Sequence, residues 1–180
     1  MFKKIETNLP GVVVVKPRVF EDERGEFVKT YHSGSFRELG LELEPKEEFF
    51  SVSRKDVIRG LHFQMPPSAH AKLLYCIAGK ILDVVLDLRR SSGCYGSVFS
   101  REISSVNREL IFIPIGCAHG FLALEDGATV MYQVGTMHDP TRDAGILWSS
   151  IGFAWGVPNP IISKRDEKHP PLEDFDTPFT

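Results

Sequence analysis

The sequence predicts an all-β fold: a jelly-roll (double-stranded β-helix) sandwich of two sheets with one or two short helices, spanning residues 1–180 as a single domain. Three observations carry this expectation. Short β-branched and apolar runs recur with turn residues between them. Helical periodicity is nearly absent. A chain of 180 residues that is 42% hydrophobic suffices for one sizeable core rather than two small ones. In order, the strand-like runs are GVVVVKP from Gly11, GEFVKTYH from Gly25, VIRGLHFQ from Val57, KLLYCIAG from Lys72, KILDVVLDL from Lys80, ELIFIP from Glu109, HGFLAL from His119 and TVMYQVG from Thr129. Only SGSFRELG reads as a helix, with Ser33 or Ser35 as its cap and Gly40 as its stop. A short turn near the C-terminus is the second candidate. Many short strands of even spacing favour a closed double sheet. The segment 158–180, rich in proline and charge, is expected to wrap the surface.

The formal charge of −3 offers no basic excess for a nucleic-acid backbone or an anionic membrane surface. No apolar run approaches a membrane span, and the opening MFKKIETNLPG has charge without an apolar core behind it. A cytoplasmic protein is expected, with no nucleic-acid or membrane partner. Cys76, Cys94 and Cys117 are odd in number and lack the C-x-x-C spacing, so they read as reduced structural residues. Trp148 and Trp155 read as packing, and His70 and His169 as exposed.

Candidate chemistry begins in VIRGLHFQ. Alternate side chains of a strand share a face, so His62 and Gln64 belong together, and Arg59 joins them only if Gly60 introduces a bulge. Lys72 and His119 sit in similarly apolar runs, and Asp83 and Asp87 have the parity to pair with a buried lysine. PIGCAH has the P-x-G-x-x-H spacing of metal-binding cupins, but HFQ offers no partner H-x-H, so no metal is expected.

Taken together, RGLHFQ, AKLLYCIAGKILDVVLDLRRSS, IFIPIGCAHGFLAL and ISKRDEKHPPL resemble, in order and over nearly the whole chain, the dTDP-4-dehydrorhamnose 3,5-epimerase family of metal-free cupins. The resemblance implies a cofactor-free isomerase that inverts C3, C5 or both on a nucleoside-diphosphate 4-keto-6-deoxy sugar. A dTDP-sugar is the expected substrate. It also implies a homodimer whose N-terminal strands pair across subunits. His62 matches the catalytic base, Lys72 the group that stabilises the enolate, Tyr132 the acid on the opposite face and His119 a second active-site histidine. Arg24 and Arg59 match contacts to the diphosphate, and Gln64 is expected to line the same pocket. The chemistry is consistent: inversion beside a ketone needs a base, an opposed acid and a stabilised enolate, and no redox partner.

Several positions depart from the pattern. Ser149 and Ser150 stand where the resemblance places a W-N-D aspartate that orients the catalytic histidine, leaving Ser150 or Asp83 as substitutes. Asp166 matches a recurrent tail element and reads as structural. Glu47 and Phe49 replace amide-type residues that recognise the nucleotide, and His138 replaces an aromatic residue near the sugar. These changes fall on the substrate shell and spare His62, Lys72, Tyr132 and His119. They favour an epimerase of altered scope, with a 3,4-ketoisomerase or a non-catalytic nucleotide-sugar-binding protein as alternatives.

Overall fold

The computed structural model describes residues 1–180. Along the chain the strands are β1 (Phe2–Glu6), β2 (Val13–Pro17), β3 (Val19–Asp22), β4 (Gly25–Val28), β5 (Glu47–Ser53), β6 (Ile58–Gln64), β7 (Lys72–Ala78), β8 (Lys80–Asp87), β9 (Val98–Ser104), β10 (Leu110–Ile113), β11 (Cys117–Ala123), β12 (Ala128–Val134) and β13 (Asp143–Gly145). One six-residue helix, α1 (Ser33–Glu38), and four single 3₁₀ turns complete them. The six-stranded sheet runs β1-β2-β10-β7-β12-β5, the five-stranded sheet β13-β6-β11-β8-β9, and β3–β4 form a separate hairpin. From β5 to β8, and again from β10 to β13, the chain crosses from one sheet to the other at every connection. That alternation is the jelly roll the sequence predicts.

Core formation explains why KILDVVLDL shows no clean polar alternation. Ile81 and Val85 point between the sheets. Val84, Leu86 and Leu88 point outward, yet they too are buried, beneath Trp155, Ile151 and Phe179. The 158–180 segment covers this outer face, with Phe63 packing edge-on against both Phe175 and Phe179 at 5.4 and 5.8 Å. On the other sheet, α1 seats Phe36 among Val13, Val15, Leu73 and Phe112. Burying one such ring contributes about 2–3 kcal/mol. Sheets covered on both faces carry apolar side chains at successive positions, so periodicity alone underreads them.

Three local features differ from the sequence reading. His32, not a serine, caps α1, its Nδ1 accepting the Ser35 N–H at 3.2 Å. Strands β1, β3, β5, β9 and β13 form from stretches too polar or too exposed to stand out; β5 is an edge strand with Phe50 and Val52 in solvent. His70 and His169 are half-buried, not exposed. The cysteines are unpaired, as expected. No helix is long and apolar enough to cross a membrane.

Candidate active site

Between the two sheets lies a cavity of about 530 Å³. Strand β5 contributes Glu47, Glu48, Phe49 and Ser51 to its wall, and β7 and β12 add Lys72 and Tyr132. The facing wall carries Arg59, His62 and Gln64 from β6 and His119 from β11; Asp143, His138 and Arg165 stand at the margin.

Arg59 and His62 share this cavity because β6 is bulged. His62 pairs with His119 and Arg59 with Phe121, so Gly60 and Leu61 stand opposite the single residue Gly120. The extra residue reverses the parity of everything before it. Only glycine fits there: Gly60 has φ +124°, and a Cβ on it would lie 2.5 Å from the Gly120 Cα, while one on Gly120 would lie 2.7 Å from the Arg59 carbonyl. The Arg59 guanidinium donates to Ser53 Oγ at 3.0 Å and to the Val52 carbonyl at 3.1 Å, which braces it across the cavity.

The histidine's orienting acid is Asp166. Its Oδ1 lies 2.8 Å from His62 Nε2 and its Oδ2 accepts the Gly60 N–H at 3.1 Å. Ser150 is not the substitute: its hydroxyl donates to the Leu147 carbonyl and accepts the Leu172 N–H, away from the cavity. Burial alone would raise the Asp166 carboxyl, but the imidazoles of His169 and His62 and the Gly60 N–H outweigh it and hold it well below its usual range. For His62, desolvation, aided by the Arg165 and Lys72 charges, lowers the pKa more than Asp166 raises it, so the ring is neutral near pH 7. A ring nitrogen cannot both donate and accept in its plane. With the Nε2 proton given to Asp166, Nδ1, which has no protein partner, is the basic nitrogen. Arg165 Nη2 also lies 2.7 Å from Nε2, but a guanidinium only donates and Nε2 cannot accept while its proton is held by the Asp166 carboxylate. This is a close charge approach that opposes protonation of the ring; Arg165 Nη1 holds Asp143 at 2.5 Å.

A second pair backs the first. Asp83 is fully buried, outside the cavity lining, and bonds His119 Nε2 at 2.6 Å through Oδ2, so it serves His119 rather than His62. Nor does Asp83 or Asp87 pair with Lys72: Asp87 holds Arg89, and Lys72 Nζ donates to the His62 carbonyl at 2.9 Å. Burial pushes the Lys72 ammonium down to about 8. Tyr132 stacks on Phe49 with ring centroids 4.9 Å apart and meets His119 edge-on at 6.1 Å; its hydroxyl lies 3.4 Å from Ser51 Oγ. Burial pushes its phenol far above the ordinary value, which keeps the proton on it.

Other expected residues are placed differently. Gln64 faces the cavity but spends its amide on the loop beyond, donating to the Ser68 carbonyl at 2.9 Å and accepting the Asp139 N–H at 2.6 Å. Glu47 accepts the His138 N–H at 3.0 Å, tying both to the rim. Arg24 lies in the β3–β4 turn, exposed and paired with Asp22, outside this chain's cavity. Sequence reading missed Asp166, Arg165, Ser51 and His70. Of these, Asp166 had one visible signal, its place in the ISKRDEKHPPL element that resembles the family.

With the geometry in place, three comparisons bear on it. A sequence model described as dTDP-4-dehydrorhamnose 3,5-epimerase matches residues 6–174. The curated enzyme of that name from Methanothermobacter thermautotrophicus is 40% identical over 178 residues, 96% of each chain. Two solved structures superpose closely: the Bacillus anthracis epimerase with TDP and PPi bound (TM-score 0.92, 34% identity, 95% of this chain and 99% of that one) and the Legionella pneumophila enzyme in complex with dTDP-4-keto-L-rhamnose (0.93, 28%, 98% and 95%).

Proposed function

Since this chain belongs to the dTDP-4-dehydrorhamnose 3,5-epimerase family, we propose that it inverts carbons beside the ketone of a dTDP-4-keto-6-deoxy sugar, at C3, C5 or both. One observation carries the reading: His62 and Tyr132 stand on opposite sheets, facing each other across one cavity. His62 Nδ1 takes the proton from the carbon, and its electron pair moves onto the carbonyl oxygen as an enolate. Lys72, buried yet still charged at neutral pH, stabilises that oxygen. Tyr132 then returns a proton to the opposite face, and the site resets when His62 releases its proton to solvent and the phenolate takes one up. His119, fixed by Asp83, braces Tyr132 from the side. Arg59 and Arg165 are suited to a diphosphate. The ligands in the Bacillus and Legionella structures support a thymidine diphosphate sugar here.

The same reading makes the chain a homodimer. The β3–β4 hairpin leaves Phe20 and Phe27 exposed at its flank and Arg24 at its tip, while β5 offers a free sheet edge. Covering one with the other would carry Arg24 to the partner's diphosphate; replacing Phe20 and Phe27 by serine should yield monomers in light scattering and raise KM.

The deciding experiment is incubation with dTDP-4-keto-6-deoxyglucose in D₂O, with His62→Ala as control. Deuterium at C3 and C5 supports the double inversion, and deuterium at one carbon a single one. A 3-keto product would assign a ketoisomerase instead, and no exchange above control would leave a binding protein.

A further inference from the structure

The Asp166 carboxylate faces more than one imidazole. Its Oδ2 is tied to the Gly60 N–H, but Oδ1 is approached by His62 Nε2 at 2.8 Å and by His169 Nε2 at 3.6 Å. The three donor atoms lie within 4.8 Å of one another. His169 Nε2 is buried without a hydrogen-bond partner, a state that native structures rarely leave unexplained. Its ring meets His62 edge-on at 5.7 Å and occupies room that exists only because residue 145 is glycine; a Cβ there would collide with the imidazole. Two imidazoles and one carboxylate are a donor set for a divalent transition cation of the zinc class. Bond lengths of about 2.0–2.2 Å to such a cation set donors roughly 3–3.5 Å apart, which the two observed distances bracket.

We propose that His62, Asp166 and His169 form an inhibitory site for a zinc-class divalent cation, whose binding takes the base out of service. The consequence for catalysis rests on the epimerase reading; the site itself does not. Coordination through His62 Nε2 displaces the proton from that nitrogen onto Nδ1, so the ring stays neutral but loses the lone pair that abstracts a carbon-bound proton. No electron transfer or further reactant is involved. Arg165 is the competitor: its Nη2 lies 2.7 Å from His62 Nε2 and its Nε 3.3 Å from Asp166 Oδ1, so a guanidinium already presents positive charge at the seat. Half-exposed and bound also to Asp143, it can swing out as the cation enters.

The test is titration of chelator-treated protein with Co²⁺, read by visible absorption, in wild type, His169→Leu and Arg165→Gln, followed by Zn²⁺ competition. Expected are intense low-coordinate bands in the wild type, tighter binding in Arg165→Gln, and affinity at least roughly tenfold weaker in His169→Leu. In the D₂O exchange assay, Zn²⁺ should suppress the wild-type rate at least tenfold, reversibly with chelator, and leave the His169→Leu rate nearly unchanged. Absence of Co²⁺ bands in both wild type and Arg165→Gln would overturn the proposal. So would equal metal affinity, or equal inhibition, in His169→Leu. Should no variant exchange deuterium at all, the epimerase reading fails, while the Co²⁺ spectra still decide the site.

Discussion

Asp166→Asn isolates the dyad without changing its volume. The carboxylate has two separate duties: Oδ2 accepts from the Gly60 N–H, and Oδ1 accepts from His62 Nε2. Asparagine keeps one oxygen. The Gly60 amide sits in the bulged strand and donates to this side chain, so the carboxamide oxygen turns to it and the NH₂ turns to His62. With no carboxylate left to hold the Nε2 proton, the carboxamide NH₂ and the Arg165 guanidinium both face Nε2 as donors, so that nitrogen accepts, the ring proton moves to Nδ1 and the free lone pair there is lost. The same swap in a serine-protease triad lowers kcat about 10⁴-fold through the wrong tautomer, and a loss of about 10³–10⁴-fold, or 4–5.5 kcal/mol of barrier, is expected here. The assay is kcat for deuterium incorporation, with KM and the melting temperature as controls. A variant that folds normally and keeps kcat within about threefold of wild type would refute the dyad and return Asp166 to a purely structural role.

Tyr132→Phe should keep its stacking on Phe49, retain His62-dependent exchange on the base side and lose the inverted product, read by proton NMR. Because burial lowers the Lys72 pKa to about 8 and the charged form is the useful one, kcat should fall as pH rises through about 8; a Lys72→Met variant should be slow at every pH and lack that limb. Gly60→Ala places a methyl 2.5 Å from the Gly120 Cα at a φ of +124°, so it should cost about 3 kcal/mol or more in urea denaturation, or about 10 °C in melting temperature.

What the sequence revealed follows from physical range. Strands with both faces packed stood out by their apolar runs, and His62, Lys72 and His119 stood out as polar groups inside such runs, while Tyr132 entered only through the family resemblance. The edge strand β5 did not, since half of it faces solvent and the other half faces the cavity. Arg59 could be joined to His62 only through the bulge, which depends on two glycines meeting across paired strands. Asp166 lies 104 residues from His62 in a charged tail, where nothing local distinguishes a buried acid from a surface one. The resemblance set the orienting aspartate at Ser149–Ser150; the structure places a carboxylate against His62 from Asp166 instead, so the departure noted there does not leave the histidine without an acidic partner.

That tail has a bearing on how the protein matures. Synthesis delivers the chain from its N-terminal end, so both sheets can pair before residues 158–180 emerge. Phe175 and Phe179 then close the outer face of the five-stranded sheet, and the same docking event brings Asp166 to His62. One docking event therefore does two things: it completes the coat over the five-stranded sheet and supplies the carboxylate that His62 faces.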